Sequence, residues 1–175
     1  MDKEVNILIR PEKPTDVDAI RQVTIAAFDG KPYSDQTEHL IVDRLREAGA
    51  MSVSLVAELD GKVVGHIAFS VVTINGEDKG WYGLGPVSVL PELQQHGIGS
   101  KLIRKGLSLI QEKGAKGCVL EGDPGYYQRF GFKAHPGLFY EDTPSPEYFM
   151  ALPFYDDVPE GKVEFHRAFY LNNRQ

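Results

Sequence analysis

The sequence predicts a mixed α/β fold built on a mostly antiparallel sheet that also holds one parallel strand pair. Three observations lead there. Apolar alternation from Ser52 to Tyr82 is broken by Asp60-Gly61 and Asn75-Gly76, the turn signals of a three-strand antiparallel meander. Val87-Ser88-Val89 is followed by an amphipathic helix and then by the apolar run Lys116 to Glu121, and strand, helix, strand implies a right-handed parallel crossover. Helical spacing dominates the chain before Gly49.

A chain of 175 residues suits one domain, 1–175, with a single buried core. The net charge of -6 and the lack of a basic stripe argue against nucleic acid as a partner. An acidic surface with a locally positive pocket would suit a cationic substrate together with an anionic cofactor. No apolar run is long enough to span a bilayer, and the first residues lack a secretory pattern, so no membrane partner and a cytoplasmic location are expected. The single cysteine, Cys118, cannot form an internal disulfide and reads as a core residue.

In chain order, Val5 to Arg10 reads as a first strand closed by Pro11. Thr15 is expected to cap a helix carrying Val17, Ile20, Val23, Ala27 and Phe28, ending near Asp29-Gly30. A second helix is expected to start at Ser34, bury Leu40, Ile41 and Leu45, and stop at Gly49. The meander follows, with Lys62 to Ile74 as its long middle strand. Its third strand carries Gly83, Gly85 and Pro86, which predict a bulge or a parting from the neighbouring strand. The crossover helix buries Ile98, Leu102, Ile103, Leu107 and Ile110 and ends at Gly114. Asp123-Pro124 caps a short helix through Phe130, stopped by Gly131. Phe132 to His135, Tyr148 to Leu152 and Val163 to Phe169 are the remaining strand candidates.

Gly97 and Gly99 stand where the crossover helix begins. Unpaired amides at a helix start attract anions, and glycine lets a ligand come close. A phosphate-bearing cofactor is the first reading of that turn. The five histidines show no metal-ligand spacing with Cys118 or carboxylates, and no metal is expected.

At Gln94-Gln95-His96-Gly97-Ile98-Gly99 the chain resembles the GCN5-related N-acetyltransferase (GNAT) superfamily, whose acetyl-CoA motif is Gln or Arg, two residues, Gly, one residue, then Gly or Ala. Val89-Leu90-Pro91 before it and Leu102 after it are similar too. Tyr126-Tyr127-Gln128-Arg129-Phe130-Gly131-Phe132 resembles the second motif, and Gly122 to Tyr127 with Gly161 to His166 resembles a YhbS-like branch. The resemblance covers Val5 to Phe132. It implies that the strands ending at Val89 and Glu121 splay apart and hold acetyl-CoA between them. Backbone groups of Val87, Ser88 and Val89 would bind pantetheine, and amides from Gln95 through His96, Gly97, Ile98 and Gly99 to Ser100 the pyrophosphate.

Acetyl transfer needs a neutral amine, yet an amine of lysine-like pKa is neutral in only about one molecule in a few thousand at pH 7. By its place in the second motif, Tyr127 resembles the tyrosine aimed at the CoA sulfur, where a phenol serves the departing thiolate as acid. A backbone N–H near Val89 is the expected donor to the thioester oxygen. Many members of the superfamily carry an acid where this chain has Gly83, Gly85, Pro86 and Ser88. That departure leaves Glu121 or a positioned water as proton acceptor. The acceptor itself is a small-molecule or peptide amine. The aromatic residues Phe139, Tyr140, Tyr148, Phe149, Phe154 and Tyr155 either line its pocket or fill the core, and the C-terminal strands leave a homodimer open. The other reading of the whole chain is a non-catalytic acyl-CoA sensor of the same fold.

Overall fold

The computed structural model of the chain describes residues 6–170; Val5, assigned above to the first strand, lies outside them. Strands β1 (Ile7–Pro11), β2 (Val53–Leu59), β3 (Lys62–Val71), β4 (Thr73–Ile74), β5 (Trp81–Val89), β6 (Gly117–Glu121), β7 (Leu138–Phe139), β8 (Phe149–Pro153) and β9 (Gly161–Glu164) form two sheets. The larger runs β1-β2-β3-β5-β6-β8, and the smaller runs β4-β9-β7. In the larger sheet only β5 and β6 are parallel, so the expected architecture stands. Both meander turns place an Asx residue and a glycine at positive φ, Asp60 at 52° with Gly61 at 80° and Asn75 at 52° with Gly76 at 82°. Two successive left-handed residues match the twist of a hairpin, which is why Asp-Gly and Asn-Gly occur there.

Helices α1 (Val17–Phe28) and α2 (Glu38–Glu47) cover one face of the sheet, clustering Ile20, Val23 and Val42 with Val56 of β2 and Val63 of β3. Helix α3 (Ile98–Glu112) covers the other, burying Ile98, Leu102, Ile103, Leu107 and Ile110. Each such side chain contributes roughly 1.5–3 kcal/mol. The small sheet packs on Trp81, Val119 and Phe149, beside the α1/α2 layer.

Local expectations fail at five places, some for a tertiary reason and some for a local one. Thr15 does not cap α1. It lies within a 3-10 turn, Pro14–Asp16, and Asp16 takes the cap position. There its carboxylate accepts from Arg10 of β1 at 2.8 and 3.1 Å and from the Lys13 amide at 2.7 Å. α2 begins at Glu38 rather than Ser34, because Gln36 at φ 66° interrupts the backbone and Ser34 Oγ accepts from its amide. Val42 and Leu45 are then buried, while Leu40 and Ile41 are only partly so. The long strand leaves the main sheet at Val72, and Thr73–Ile74 joins β9 instead. Phe132 to His135 is no strand: Lys133 makes one bridge to Ala151, and Phe132 turns into the core. After Glu164 the chain forms a 3-10 turn, Arg167–Phe169, with His166 Nδ1 accepting from the Ala168 amide at 3.0 Å.

Candidate active site

β5 and β6 pair only over Trp81–Gly83 and Gly117–Val119. Beyond Gly83 they diverge, while β5 stays paired with β3 through Val89, with a register shift between Ile67 and Phe69. One edge of β5 from Leu84 to Val89 therefore has no partner strand. Leu90 donates to Val64 O at 2.9 Å, which fixes the antiparallel phase. Ser88 accordingly spends its backbone groups on His66 of β3, and those of Val87 and Val89 point into the gap. Gln94 Nε2 donates to the Val89 carbonyl at 3.0 Å, tying the loop after the strand to its open edge.

That loop delivers α3. Gly97 is the N-cap residue at φ 86°, and no side chain caps the helix. The first intrahelical bond runs from the Lys101 amide to Gly97 O at 3.1 Å, so the amides of Ile98, Gly99 and Ser100 lack helical acceptors. Open space surrounds the position a Gly97 Cβ would take. A Cβ on Gly99 would stand 3.4 Å from the Tyr126 hydroxyl and 3.9 Å from Val89 Cγ2, so strand edge, helix start and second motif meet there. Gln95 and His96 are exposed. Free amides, a glycine lip and an open strand edge fit a long anionic ligand with amide groups along its arm.

Helix α4 (Pro124–Tyr127) is capped by Asp123, whose Oδ1 accepts from the Gly125 amide at 2.9 Å. That spends Asp123 on structure. Tyr127 is half-buried among Tyr126, Phe130 and Phe132, with ring centroids at 5.0, 6.2 and 6.1 Å. A Cβ on Gly122 would stand 2.6 Å from its ring, so the glycine makes room for it. Burial above all pushes the Tyr127 hydroxyl up from the ordinary phenol range, with Tyr126, Tyr33 and Asp123 adding to it.

Along β6, Cys118 and Leu120 face the α3 core and Val119 faces the small-sheet core. Alternation puts Glu121 on Val119's side and leaves Tyr127, packed on the α3 core, across the sheet. Glu121 is exposed as a residue, yet burial of its carboxyl is the main cause raising its pKa. Asp142 adds to the rise and a Thr143 hydrogen bond opposes it. Cys118 is fully buried and its thiol is pushed up by that burial, which leaves it inert.

Two contacts of this region carried no sequence signal. A Cβ on Gly83 would meet Phe165 Cε1 at 2.7 Å and Val72 Cγ1 at 3.0 Å, so Phe165 fills the space a side chain at position 83 would take. Tyr126 stands within the second motif, but only the fold brings its hydroxyl to Ser100 Oγ, at 3.3 Å. Among the predicted pocket aromatics, Phe149 is buried, and Phe139, Tyr148 and Tyr155 are exposed. No group of three His, Cys, Asp or Glu among the described residues could hold a metal ion, and no helix among them is long and apolar enough to cross a membrane.

Comparison with known proteins gives one answer. The model of the acetyltransferase (GNAT) family matches residues 17–132. The chain is 36% identical over 169 residues to the uncharacterized N-acetyltransferase YhbS of Escherichia coli K12, covering 93% of this chain and 98% of that protein. A GNAT family acetyltransferase from Brucella melitensis, solved in complex with acetyl-CoA, is 56% identical with a TM-score of 0.84, covering 93% of this chain and 97% of that one. The E. coli YhbS structure, in complex with CoA, is 33% identical with a TM-score of 0.86, covering 94% and 92%.

Proposed function

The chain belongs to the acetyltransferase (GNAT) family, and from that premise we propose that it moves an acetyl group from acetyl-CoA to a primary amine by direct transfer. The observation that carries this reading is the unpaired edge of β5 beside the free amides at the start of α3; Glu121, paired with Phe149 of the small-sheet core, and Tyr127, packed on the α3 core, fall on opposite faces of the sheet. An amine adds to a thioester carbon from one side while charge gathers on sulfur at the other. A proton acceptor on one face and a donor on the other suit that demand.

Acetyl-CoA supplies the activated thioester. The protein does the rest. The amides of Ile98, Gly99 and Ser100 hold the pyrophosphate, and Gln94 to Ser100 wrap it. The backbone groups of Val87 and Val89 align the pantetheine arm as an added strand, and the Val89 N–H donates to the thioester oxygen. Tyr127, kept protonated by its burial, donates to the departing sulfur. Glu121, its carboxyl raised toward neutrality, accepts the proton of the incoming ammonium directly or through a water.

A second reading is favoured by the strand that carries Gly83, Gly85, Pro86 and Ser88 where many members of the family carry an acid, with the Phe165 ring filling the space over Gly83. In that reading the protein binds the acyl-CoA without turning it over. Thiol release from acetyl-CoA against a panel of primary amines separates the two. Tyr127→Phe is expected to lower kcat by about 10²-fold or more with the KM for acetyl-CoA nearly unchanged. Absence of turnover with every amine, despite tight acetyl-CoA binding, would select the sensor.

A further inference from the structure

A cleft of about 330 Å³ opens against the small sheet, on the side of the main sheet that holds Glu121. Apart from Thr73 its lining comes from residues 140–170, beyond the span 17–132 that the family model matches. Half-buried Tyr140, Phe165 and Tyr170 make its floor. The Tyr140 and Phe165 rings meet edge-on at 5.0 Å, and the Tyr170 hydroxyl accepts from the Phe165 amide at 3.0 Å. That floor touches both arms of the gap between β5 and β6. Phe165 fills the space over Gly83, the last residue of β5 paired with β6, and Tyr140 packs at 5.7 Å on Phe149, the register partner of Glu121. Charges of both signs stand around the floor. Glu141 and Lys162 satisfy each other at 3.7 Å. Asp142, Glu164 and Arg167 are exposed, and none of their side chains makes an ion pair or a hydrogen bond among the described residues. A hydrogen bond from Thr143 reaches the Glu121 carboxyl, so its neighbour Asp142 stands at the Glu121 end of the cleft. Arg167 enters from the 3-10 turn after β9.

We propose that this cleft takes the acceptor, and that the acceptor is a small amine that also bears a carboxylate, a free amino acid or a close analogue. Its ammonium lies toward Asp142 and Glu121, its carboxylate on Arg167 and its apolar body on the aromatic floor. The inference rests on the reading of the chain as an acetyltransferase whose amine arrives from the Glu121 side. A ligand with positive charge alone would leave the unpaired Arg167 facing a cation, and one with negative charge alone would meet Asp142 and Glu164. A zwitterion satisfies both signs, and a guanidinium without a partner offers a carboxylate two parallel N–H bonds. The volume stands at the small end of sites for small molecules, which suits one such ligand. In the reaction the C–N bond forms as the C–S bond breaks. The products are the N-acetylated amino acid and coenzyme A as its thiol, and one proton from the ammonium leaves through Glu121 to solvent.

Thiol release from acetyl-CoA tests this with leucine, methionine and phenylalanine, each beside the amine that lacks only its carboxylate, on the wild type and Arg167→Gln. The best amino acid is expected to exceed its matched amine about tenfold in kcat/KM. Arg167→Gln should erase that margin by raising the KM of the amino acid about tenfold, with kcat and the matched amine changed by less than about twofold. Arg167→Lys, which keeps the charge and loses the fork, should recover part of the margin. Calorimetry of the same pairs on the CoA-bound protein reads the margin without turnover. An amino-acid preference there that Arg167→Gln removes, with no amine turned over, supports the cleft and its ligand class while refuting acetyl transfer. A matched amine that binds and reacts as well as its amino acid overturns the proposal. An equal loss for both ligands in Arg167→Gln overturns it too, assigning the residue to support of the 3-10 turn. So does failure of every amino acid to bind the CoA-bound protein, and turnover of other amines in that case would leave acetyl transfer standing.

Discussion

Gly83 shows at the scale of one residue how a site can be rewritten. The ring of Phe165 stands where a Cβ at position 83 would be, so glycine there is a packing requirement. Gly83→Glu, which would give the strand the acid that many members of the family carry, must displace that ring. It is expected to cost about 1–3 kcal/mol of stability by overpacking. Phe165→Ala opens the space, so the double variant should cost less than the two single changes added together. Urea unfolding of the four proteins measures this, and strict additivity would show that the two side chains do not compete. Tyr127 illustrates the opposite relation, in which a motif residue keeps its place and Gly122 is small to receive its ring.

At the scale of elements, α2 is lashed to the sheet by a partly buried ionic chain. Glu12, just beyond β1, accepts from Arg46 at 2.8 and 2.9 Å and from Ser54 Oγ at 2.6 Å. Ser54 Oγ also lies 2.8 Å from His66 Nε2, inside β3. Burial, opposed by Glu12 and aided by Arg46, holds the His66 pKa down at about 4. The imidazole is therefore neutral in the folded protein, and between pH 6.5 and 4 only the unfolded chain takes up its proton. Stability from this group is whole above pH 6.5 and is lost as pH falls through that window. A drop of about 2 kcal/mol between pH 7 and pH 5 is expected. His135 and His166, also depressed by burial, act in the same direction. Urea midpoints across pH check it: His66→Gln should flatten the profile, and an unchanged slope would remove His66 as its cause. The sequence showed that α2 exists, but not where it starts or which face it buries. Ser34 is a good cap by type, and only the left-handed turn at Gln36 moves the start to Glu38.

For the molecule as a whole, the two faces of one sheet are built by different elements: α3 and α4 pack on the larger core, and α1, α2 and the small sheet pack on the other side. In the proposed function the acetyl donor falls to the first and the amine to the second. Acetyl-CoA at a hundred times its Kd is expected to stabilise the folded chain by about 2.7 kcal/mol. A rise in Tm by thermal unfolding reports it, and no rise at saturating ligand would refute the cleft. The sequence by itself determined the meander, the crossover, the glycine turn at α3 and the Asp123 cap. All of these rest on neighbours a few residues apart, where φ preferences, apolar period and cap chemistry act directly. The tertiary structure decided two stretches near the C-terminus, where Phe132 to His135 became a single bridge and Val163 to Phe169 became a short strand and a 3-10 turn. It also decided the placement of Phe165 over Gly83, Tyr126 beside Ser100, and Glu121 across the sheet from Tyr127. Those relations join residues distant in the chain, and no local preference encodes which side chain will fill a gap that another segment leaves open.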